Sequence, residues 1–420
     1  MNASLDDYRS VVGPEVVDEL LHLAERVRHR RLQHINSTAV GGGVAELLTR
    51  MVPLFRELGI ETSWDVIKGN DAFFAVTKAF HNALHGSQET ITAEMLDVFR
   101  ETTHMNLNDL GYAGDFVVVH DPQPAGLVAR KKDIGGHWLW RCHIDVSAPD
   151  PAAWGFLKPF VEQYDASVFS MPEFSQELSI PQFMVAPSID PLSDKNRDIP
   201  HDQVTSVLEK YGLDPERPII TQISRFDRLK DPVGVIQAYR LVKRRYETCQ
   251  LVLAGGGATD DPEGEEVLQE VREAANDDPD VHVLLLPPFS DLEINALVRG
   301  STIIMQKSIK EGFGLTVTEA LWKRRPVIGG SVGGIKQQLL NGVTGFLVHS
   351  PEGAANRAIE LLGNESLRQT IATNGHEHVR ENFLTTRHVR DYLLMMLAME
   401  YPDTDIALLT TATDDLRPAT

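Results

Sequence analysis

The second half of the chain alternates apolar runs with amphipathic runs in a regular order. Apolar runs of strand length lie at 218–223, 250–254, 281–286, 302–305 and 326–328, and helical stripes lie between them at 233–245, 265–275, 292–299 and 316–323. Strands that are joined through helices predict a parallel, doubly wound sheet. This half is therefore predicted to be a domain of the nucleotide-binding type.

The first half is less regular but also opens with a strand, a loop and a helix. A strand is predicted at 32–37, a triple glycine follows at 41–43, and apolar residues then recur at helical spacing through 44–58. Further strands are predicted at 116–119, 138–144, 167–169 and 183–186. The pattern predicts an α/β protein whose two doubly wound halves face each other across a cleft.

A segment rich in proline and serine, 187–193, predicts the connector between the two halves. The predicted domains are therefore 1–190 and 191–395, each with a Rossmann-like parallel sheet. The last helix, near 387–399, could pack on either half. Residues 396–420 are expected to complete this helix and to form a frayed tail. This segment could pack back on the N-terminal domain.

Size and charge exclude several classes of protein. The 420 residues suit two domains, and the apolar fraction of 42% and charged fraction of 24% are typical of a globular protein. The 40 basic and 60 acidic residues give a net charge of −20, which disfavours nucleic acid and anionic membranes as partners. Two cysteines, no signal-peptide pattern and no apolar run of about 18 residues predict a soluble, cytoplasmic protein.

The segment 311–319 carries the strongest indication of chemistry. It places Glu311 and Glu319 eight positions apart across a glycine-containing turn that follows one predicted strand and opens a helix. The first N–H groups of a helix have no intrahelical partner, so a diphosphate is favoured at such a junction. Glu319 could then accept from ribose hydroxyls and Glu311 from sugar hydroxyls, which predicts a site for a sugar nucleotide.

Two cations are predicted at the carboxyl end of the same sheet. Arg225 and Lys230 follow the predicted strand 218–223, where open α/β sheets bind their ligands. A guanidinium and an ammonium both suit a diphosphate leaving group, because they neutralise the charge that builds up as the sugar–phosphate bond breaks. Gly41, Gly42 and Gly43 open a helix of the first half and would permit close approach of a phosphate there, although this loop fails the dinucleotide fingerprint.

Three polar clusters of the first half end predicted strands or helices, at 80–85, 120–124 and 141–145. Their amides, imidazoles and carboxylates are the donors and acceptors that a hydroxyl-rich sugar needs. The 15 histidines show no metal-binding spacing, so no catalytic metal site is predicted.

With these residues assembled, the chain resembles the family-4 retaining glycosyltransferases of GT-B architecture, and within them the trehalose synthases of the glycosyltransferring type. The segments that carry this resemblance are 34–38 with the triple glycine, 119–124, 139–145, 224–227 and 311–319. The resemblance covers nearly the whole chain apart from the termini. Ser224 departs from the glycine that is frequent in the wider superfamily, which affects only the expected geometry of its loop.

The resemblance implies transfer of glucose, with retention, from a nucleoside diphosphate glucose to the anomeric hydroxyl of free glucose, which gives trehalose. It implies catalytic roles for His143, Arg225, Lys230 and Glu311, with His143 near the donor sugar. The implied donor site comprises Gly41, Gly42, Gly43, Arg225, Lys230, Glu311, Gly312, Phe313, Gly314, Leu315, Thr316 and Glu319. The implied acceptor site, in the first domain, comprises Asn36, Glu46, Asn82, Asp121, Gln123 and Asp145.

The resemblance also implies a homodimer and no obligatory cofactor, with stimulation by Mg²⁺ left open. ADP-glucose and UDP-glucose are both candidate donors. Front-side attack is favoured over double displacement, because no carboxylate is singled out as a nucleophile. On that hypothesis Lys230→Ala costs orders of magnitude in rate with little loss of fold. A trehalose phosphorylase, a nucleotide-sugar epimerase and a non-catalytic sugar-nucleotide sensor stay open as alternatives, and a nicotinamide dehydrogenase is least favoured.

Overall fold

A computed structural model describes residues 3–39, 42–256 and 262–402, so that Gly41 and the predicted tail from 403 lie outside the described residues. The chain forms two compact units. The first ends at Ser188 and resumes at Thr385, and the second is Ile189–Leu384. The predicted boundaries were 190/191 and 395/396. The first boundary lies close to its predicted position, and the second differs because the last helix belongs to the first unit from its first residue.

The first unit contains a parallel sheet. Within the described residues its strands are β1 (Arg31–Asn36), β2 (Glu61–Val66), β3 (Phe116–His120), β4 (His137–Arg141), β5 (Ala166–Phe169) and β6 (Gln182–Met184). Their order is β2-β1-β3-β4-β5-β6, so the order reverses between β1 and β3. The sequence pattern did not predict β2. It is an edge strand whose residues Glu61, Ser63 and Asp65 face away from the core, so it has no apolar run.

Helices flank this first sheet. They are α1 (Arg9–Val12), α2 (Pro14–Glu25), α3 (Gly42–Glu57), α4 (Asp71–Leu84), α5 (Ala93–Asp109), α6 (Lys131–Ile134), α7 (Pro151–Val161) and α16 (Thr385–Glu400). Helix α16 packs against α2 and α3. The core on the other side of the sheet includes Phe80, Phe99, Trp138 and Trp140, all at most 2% exposed.

The second unit contains another parallel sheet. Within the described residues its strands are β7 (Ile219–Ile223), β8 (Gln250–Gly256), β9 (Val281–Leu286), β10 (Ile303–Gln306), β11 (Val327–Gly330) and β12 (Phe346–Val348). The order is β12-β11-β10-β7-β8-β9, so the strand order reverses between β7 and β10, which is the switch point of this parallel sheet. Ligands of open α/β sheets bind outside the carboxyl ends of the strands at such a switch point. The loops after β7 and β10 are therefore placed at the expected binding edge.

Helices also flank the second sheet. They are α8 (His201–Lys210), α9 (Pro232–Lys243), α10 (Pro262–Ala275), α11 (Asp291–Gly300), α12 (Leu315–Trp322), α13 (Ile335–Gln338), α14 (Pro351–Gly363) and α15 (Glu365–Asn382). Val235, Tyr239, Leu251 and Ile303 are among the fully buried residues of its core. Among the described helices of the whole chain, none combines the length and apolarity that a membrane crossing requires.

Candidate functional site

Lys230 and Glu311 form an ion pair at the carboxyl ends of β7 and β10. Nζ of Lys230 donates to both carboxylate oxygens of Glu311, at 2.8 Å each, and the Ser308 hydroxyl donates to Oε2 at 3.1 Å. The Lys230 and Glu311 side chains are only 18% and 10% exposed. An ammonium has three N–H groups. Two of them are used by Glu311, so one remains for a phosphate oxygen.

The loop 312–314 joins Glu311 to α12 in a conformation that requires glycine at its end. Gly314 has a φ of 83°, and a Cβ added there would lie 3.0 Å from Cγ of Glu311. Nε2 of Gln338 donates to the carbonyl oxygen of Phe313 at 2.5 Å, which attaches the loop to α13. The N–H groups at the start of α12 consequently face a loop of fixed shape, as anion binding at a helix N-terminus requires.

Glu319 lies inside α12 and is 2% exposed. Its Oε1 atom lies 3.7 Å from Nζ of Lys195, a residue of the loop that precedes α8. Leu315 and Thr316, the other predicted donor residues of this segment, form the first turn of α12. A buried carboxylate with one distant cation keeps most of its acceptor capacity, which suits a pair of ribose hydroxyls.

Arg225 lies in the loop after β7, and its side chain is 65% exposed. Its Nη2 atom is 3.5 Å from Oδ2 of Asp227, a long and weak contact. The same loop is attached to β7, because Nε2 of Gln222 donates to the carbonyl oxygen of Lys230 at 2.7 Å. The loop thus has a fixed backbone and a guanidinium that points largely into solvent.

In the first unit, three histidines, in β1, in β3 and just after β4, form a hydrogen-bonded row, called here the histidine chain. Nδ1 of His34 lies 3.0 Å from Nε2 of His120, and Nδ1 of His120 lies 2.9 Å from Nε2 of His143. His34 pairs with Val118 of β3, and His120 lies two residues after Val118. His120 in turn pairs with Arg141 of β4, and His143 lies two residues after Arg141. His34 and His120 are buried, and His143 is half-buried.

Asp121 connects β3 to His143. Its backbone has a φ of 66°, and its Oδ1 accepts the backbone N–H of His143 at 2.7 Å. This side-chain contact takes His143 out of the strand ladder, so β4 ends at Arg141 rather than at the predicted residue 144. Burial raises the pKa of Asp121 to about 7, while the His143 N–H and the buried Arg141 charge act in the opposite direction with less effect.

Two of the predicted acceptor residues use their amides in local contacts. Asn36 donates to the carbonyl oxygen of Thr38 at 2.7 Å and accepts from Nε1 of Trp64 at 2.9 Å. Asn82 donates to Glu89 at 3.2 Å. These partners lie outside the predicted site, and the role of both side chains in acceptor binding stays a prediction.

The remaining acceptor candidates lie at loops and helix starts. Asp145 accepts from the backbone N–H and the hydroxyl of Ser147, at 3.0 and 2.6 Å. Oε1 of Gln123 is buried and has no hydrogen-bond partner among the described residues. Glu46 lies in the first turns of α3, which Gly42 and Gly43 begin.

Several site residues were missed by the sequence pattern. His34 and His120 lie in segments that were singled out, but their contact with His143 depends on the strand order. Ser308, Lys195 and Gln338 carried no signal, because an isolated polar residue in a loop or short helix is usually structural. Over the part of the chain that the structure describes, no group of three or more His, Cys, Asp and Glu side chains could hold a metal ion.

Two family models match the chain in separate segments. The model "Trehalose synthase, N-terminal domain" matches residues 34–176, which include the histidine chain and Asp121. The model "Glycosyl transferases group 1" matches residues 204–378, which include Lys230, Glu311 and Glu319.

Relatives agree with both models. The trehalose synthase of Thermococcus litoralis is 44% identical over 396 residues, which cover 93% of this chain and 95% of that protein. The trehalose phosphorylase of Pleurotus pulmonarius is 26% identical over 446 residues, which cover 93% of this chain and 60% of that protein.

Solved structures confirm the predicted fold class, α/β of the GT-B type. The protein described as "Trehalose-6-phosphate from E. coli bound with UDP-2-fluoro glucose" matches with a TM-score of 0.71 at 12% identity, over 87% of this chain and 98% of that chain. Sucrose-phosphate synthase from Thermosynechococcus elongatus matches with a TM-score of 0.66 at 16% identity, over 89% and 100%. The identity and coverage of the relatives, with the glycosyltransferase model over the second unit, show that this chain belongs to the trehalose synthase family of glycosyltransferases.

Proposed function

We propose that the chain is a retaining glycosyltransferase that moves glucose from a nucleoside diphosphate glucose to the anomeric hydroxyl of free glucose. The products are α,α-1,1-linked trehalose and the nucleoside diphosphate. The observation that carries this proposal is the Lys230–Glu311 pair at the switch point of the second sheet, beside the start of α12. It supplies a cation for a phosphate and a carboxylate for sugar hydroxyls within one hydrogen-bonded unit.

The donor is assigned to the second unit by charge and shape. Lys230 has one N–H group left for the diphosphate, and Arg225 adds a second cation on the loop after β7. Glu311 retains acceptor positions for the hydroxyls of the donor glucose. Glu319, buried in α12, accepts from the ribose hydroxyls. The glycines of loop 312–314 let the donor approach the backbone without a Cβ in between.

Catalysis in this proposal is charge stabilisation and positioning. Departure of the diphosphate puts negative charge on an oxygen that Lys230 and Arg225 neutralise. The departing oxygen takes the proton of the attacking hydroxyl on the same face, which gives retention without a covalent intermediate. The bond to the phosphate oxygen breaks as the new bond to the acceptor oxygen forms. His143 is assigned to the donor sugar and Asp121 to the acceptor.

The acceptor is proposed to be free glucose because the relatives that align with this chain over almost their whole length are trehalose synthases. A homodimer in the cytoplasm, with no obligatory cofactor and with Mg²⁺ at most as a stimulant, completes the proposal.

The test is to incubate the purified protein with glucose and, in turn, ADP-, UDP- and GDP-glucose. Released nucleoside diphosphate is followed by a coupled assay, and the disaccharide is identified by the NMR signals of its anomeric protons. A non-reducing α,α-linked product supports the proposal and identifies the preferred base. Release of diphosphate with glucose 6-phosphate but not with glucose would reassign the acceptor.

A phosphorylase is the second candidate, because the fungal trehalose phosphorylases align over more than nine-tenths of this chain. A phosphorylase would make trehalose from glucose and glucose 1-phosphate and release inorganic phosphate. That mixture and maltose alone are therefore the two control incubations. Trehalose from either control, together with no product from the nucleotide sugars, would overturn the proposal.

A further inference from the structure

The three histidines of the first unit share a property that their hydrogen bonds impose. Each of the two bonds, His34 to His120 and His120 to His143, joins two ring nitrogens, so one nitrogen of each facing pair must carry the proton. Burial lowers the pKa of His34 to about 3 and lowers the pKa values of His120 and His143 well below the usual range. All three rings are therefore neutral, and each carries one N–H group.

Only two arrangements satisfy both bonds when every ring is neutral. In one, all three rings carry the proton on Nδ1, and the bonds run from His34 through His120 to His143. In the other, all three carry it on Nε2, and the bonds run in the opposite direction. The central ring transmits the choice, because a His120 that accepts at one nitrogen must donate from the other.

The environment of His34, at the buried end of the row of three histidines, distinguishes these arrangements. His34 is fully buried, its ring lies near the rings of Phe55 and Tyr392 at 6.3 and 5.9 Å, and its Nε2 has no hydrogen-bond partner among the described residues. A proton on this Nε2 would be a buried donor without an acceptor, which folded proteins avoid more strictly than an unused acceptor. The arrangement with Nδ1 protonated avoids it.

We propose that His34 and His120 are positioning residues that hold His143 as its Nδ1–H tautomer, so that the half-buried end of the chain presents a hydrogen-bond donor. The backbone of His143 is held separately by Asp121, at 2.7 Å. Ring orientation and proton position are thus set by two independent contacts.

The use of this donor rests on the proposed function. A donor on the His143 ring suits an oxygen of the bound sugar, and its direction would be fixed before the substrate arrives. Preorganised donors act without reorganisation cost during the reaction, so their loss appears mainly in kcat.

The first experiment reads the tautomer directly. The full-length protein is labelled with ¹⁵N-histidine, and long-range ¹H–¹⁵N correlation spectra are recorded near neutral pH. The signals are assigned with the His34→Phe, His120→Gln and His143→Gln variants. Protonated Nδ1 on all three rings is expected. Protonated Nε2 on His143, or different tautomers among the three rings, would overturn the proposal.

The second experiment separates positioning from packing. Glutamine at position 120 retains one donor and one acceptor, whereas leucine has neither. We expect His120→Gln to keep kcat within about 3-fold and His120→Leu to lower it by about 10-fold or more, with KM for the donor changed less. Equal kcat losses for the glutamine and leucine variants would refute the positioning role.

The two proposals fail in different ways. If the wild-type protein makes no trehalose from any nucleotide sugar, the proposed function fails, but the NMR spectra still test the tautomer of His143. If trehalose forms and His143 carries its proton on Nε2, only the present inference fails.

Discussion

The Lys230–Glu311 pair gives a prediction whose size follows from the structure. Lys230→Met keeps the apolar stem of the side chain and removes its charge, which leaves the Glu311 carboxylate with the Ser308 hydroxyl as its side-chain donor. Removing one partner of a buried pair costs about 3–5 kcal/mol. Because the two side chains are still 18% and 10% exposed, and because Ser308 still donates, we expect a loss of about 2–3 kcal/mol in the free energy of unfolding.

The prediction is tested by a double-mutant cycle with Glu311→Gln. Neutral glutamine does not need the ammonium, so the double variant should be more stable than Lys230→Met alone. The coupling free energy should be about 1.5 kcal/mol or more. The measurement is unfolding by urea at fixed pH and salt concentration, supported by melting temperatures. For a unit of roughly 200 residues, each kcal/mol corresponds to about 2–4 °C.

The Lys210–Glu293 pair of the same unit is the matched control. Its atoms are 3.3 Å apart, but the side chains are 59% and 29% exposed. Lys210→Met should therefore lower the free energy of unfolding much less than Lys230→Met does. If Lys230→Met costs no more than Lys210→Met, the burial argument is wrong. In the same preparations Lys230→Met should lower kcat by about 100-fold or more, since it removes charge stabilisation from the leaving group.

Three further changes have defined outcomes. Gly314→Ala should lower stability by about 1–2 kcal/mol and weaken donor binding in calorimetry, because Gly314 has a φ of 83° and an added Cβ would press on Glu311. The control is Gly155→Ala in α7, where an added Cβ would meet no other atom within 4 Å, and it should be neutral or stabilising. The Asp121 pKa is raised to about 7, so the folded state binds the proton more tightly than the unfolded state. The contribution of Asp121 to the free energy of unfolding thus falls as pH rises from about 4 to about 7, whereas the buried histidines, whose pKa values are lowered, contribute in the opposite direction. The measurement is therefore the difference in free energy of unfolding between Asp121→Asn and the unchanged protein in urea titrations, which should shift in favour of the asparagine variant as pH rises to about 7. Arg225→Ala should lower kcat by about 100-fold and leave the melting temperature unchanged, because the side chain is 65% exposed; Arg225→Lys should be intermediate, and an equal loss for both would favour a role for the fork geometry.

The fold class was predictable from the chain because the alternation of buried strands and amphipathic helices is local. The run predicted at 218–223 is observed as Ile219–Ile223, in which every residue is buried, since strands that are buried on both faces read as continuous apolar segments. Edge strands β2 and β12 were missed because they lack a continuous apolar run of strand length. The burial of β2 is partial, and β12 has only three residues. The position of 311–319 between a strand and a helix was also visible, since glycine and the helical stripe mark that junction locally.

The sequence by itself determined two α/β halves, the strand–loop–helix junction at 311–319 and the residue types that suit a sugar nucleotide. Only the tertiary structure decided which of these residues meet. Lys230 and Glu311 are 81 residues apart, and His34 and His120 are 86 apart, so each contact depends on strand order rather than on spacing. The helix Thr385–Glu400 joins the first unit for a similar reason, because an apolar helical face does not specify which partner covers it.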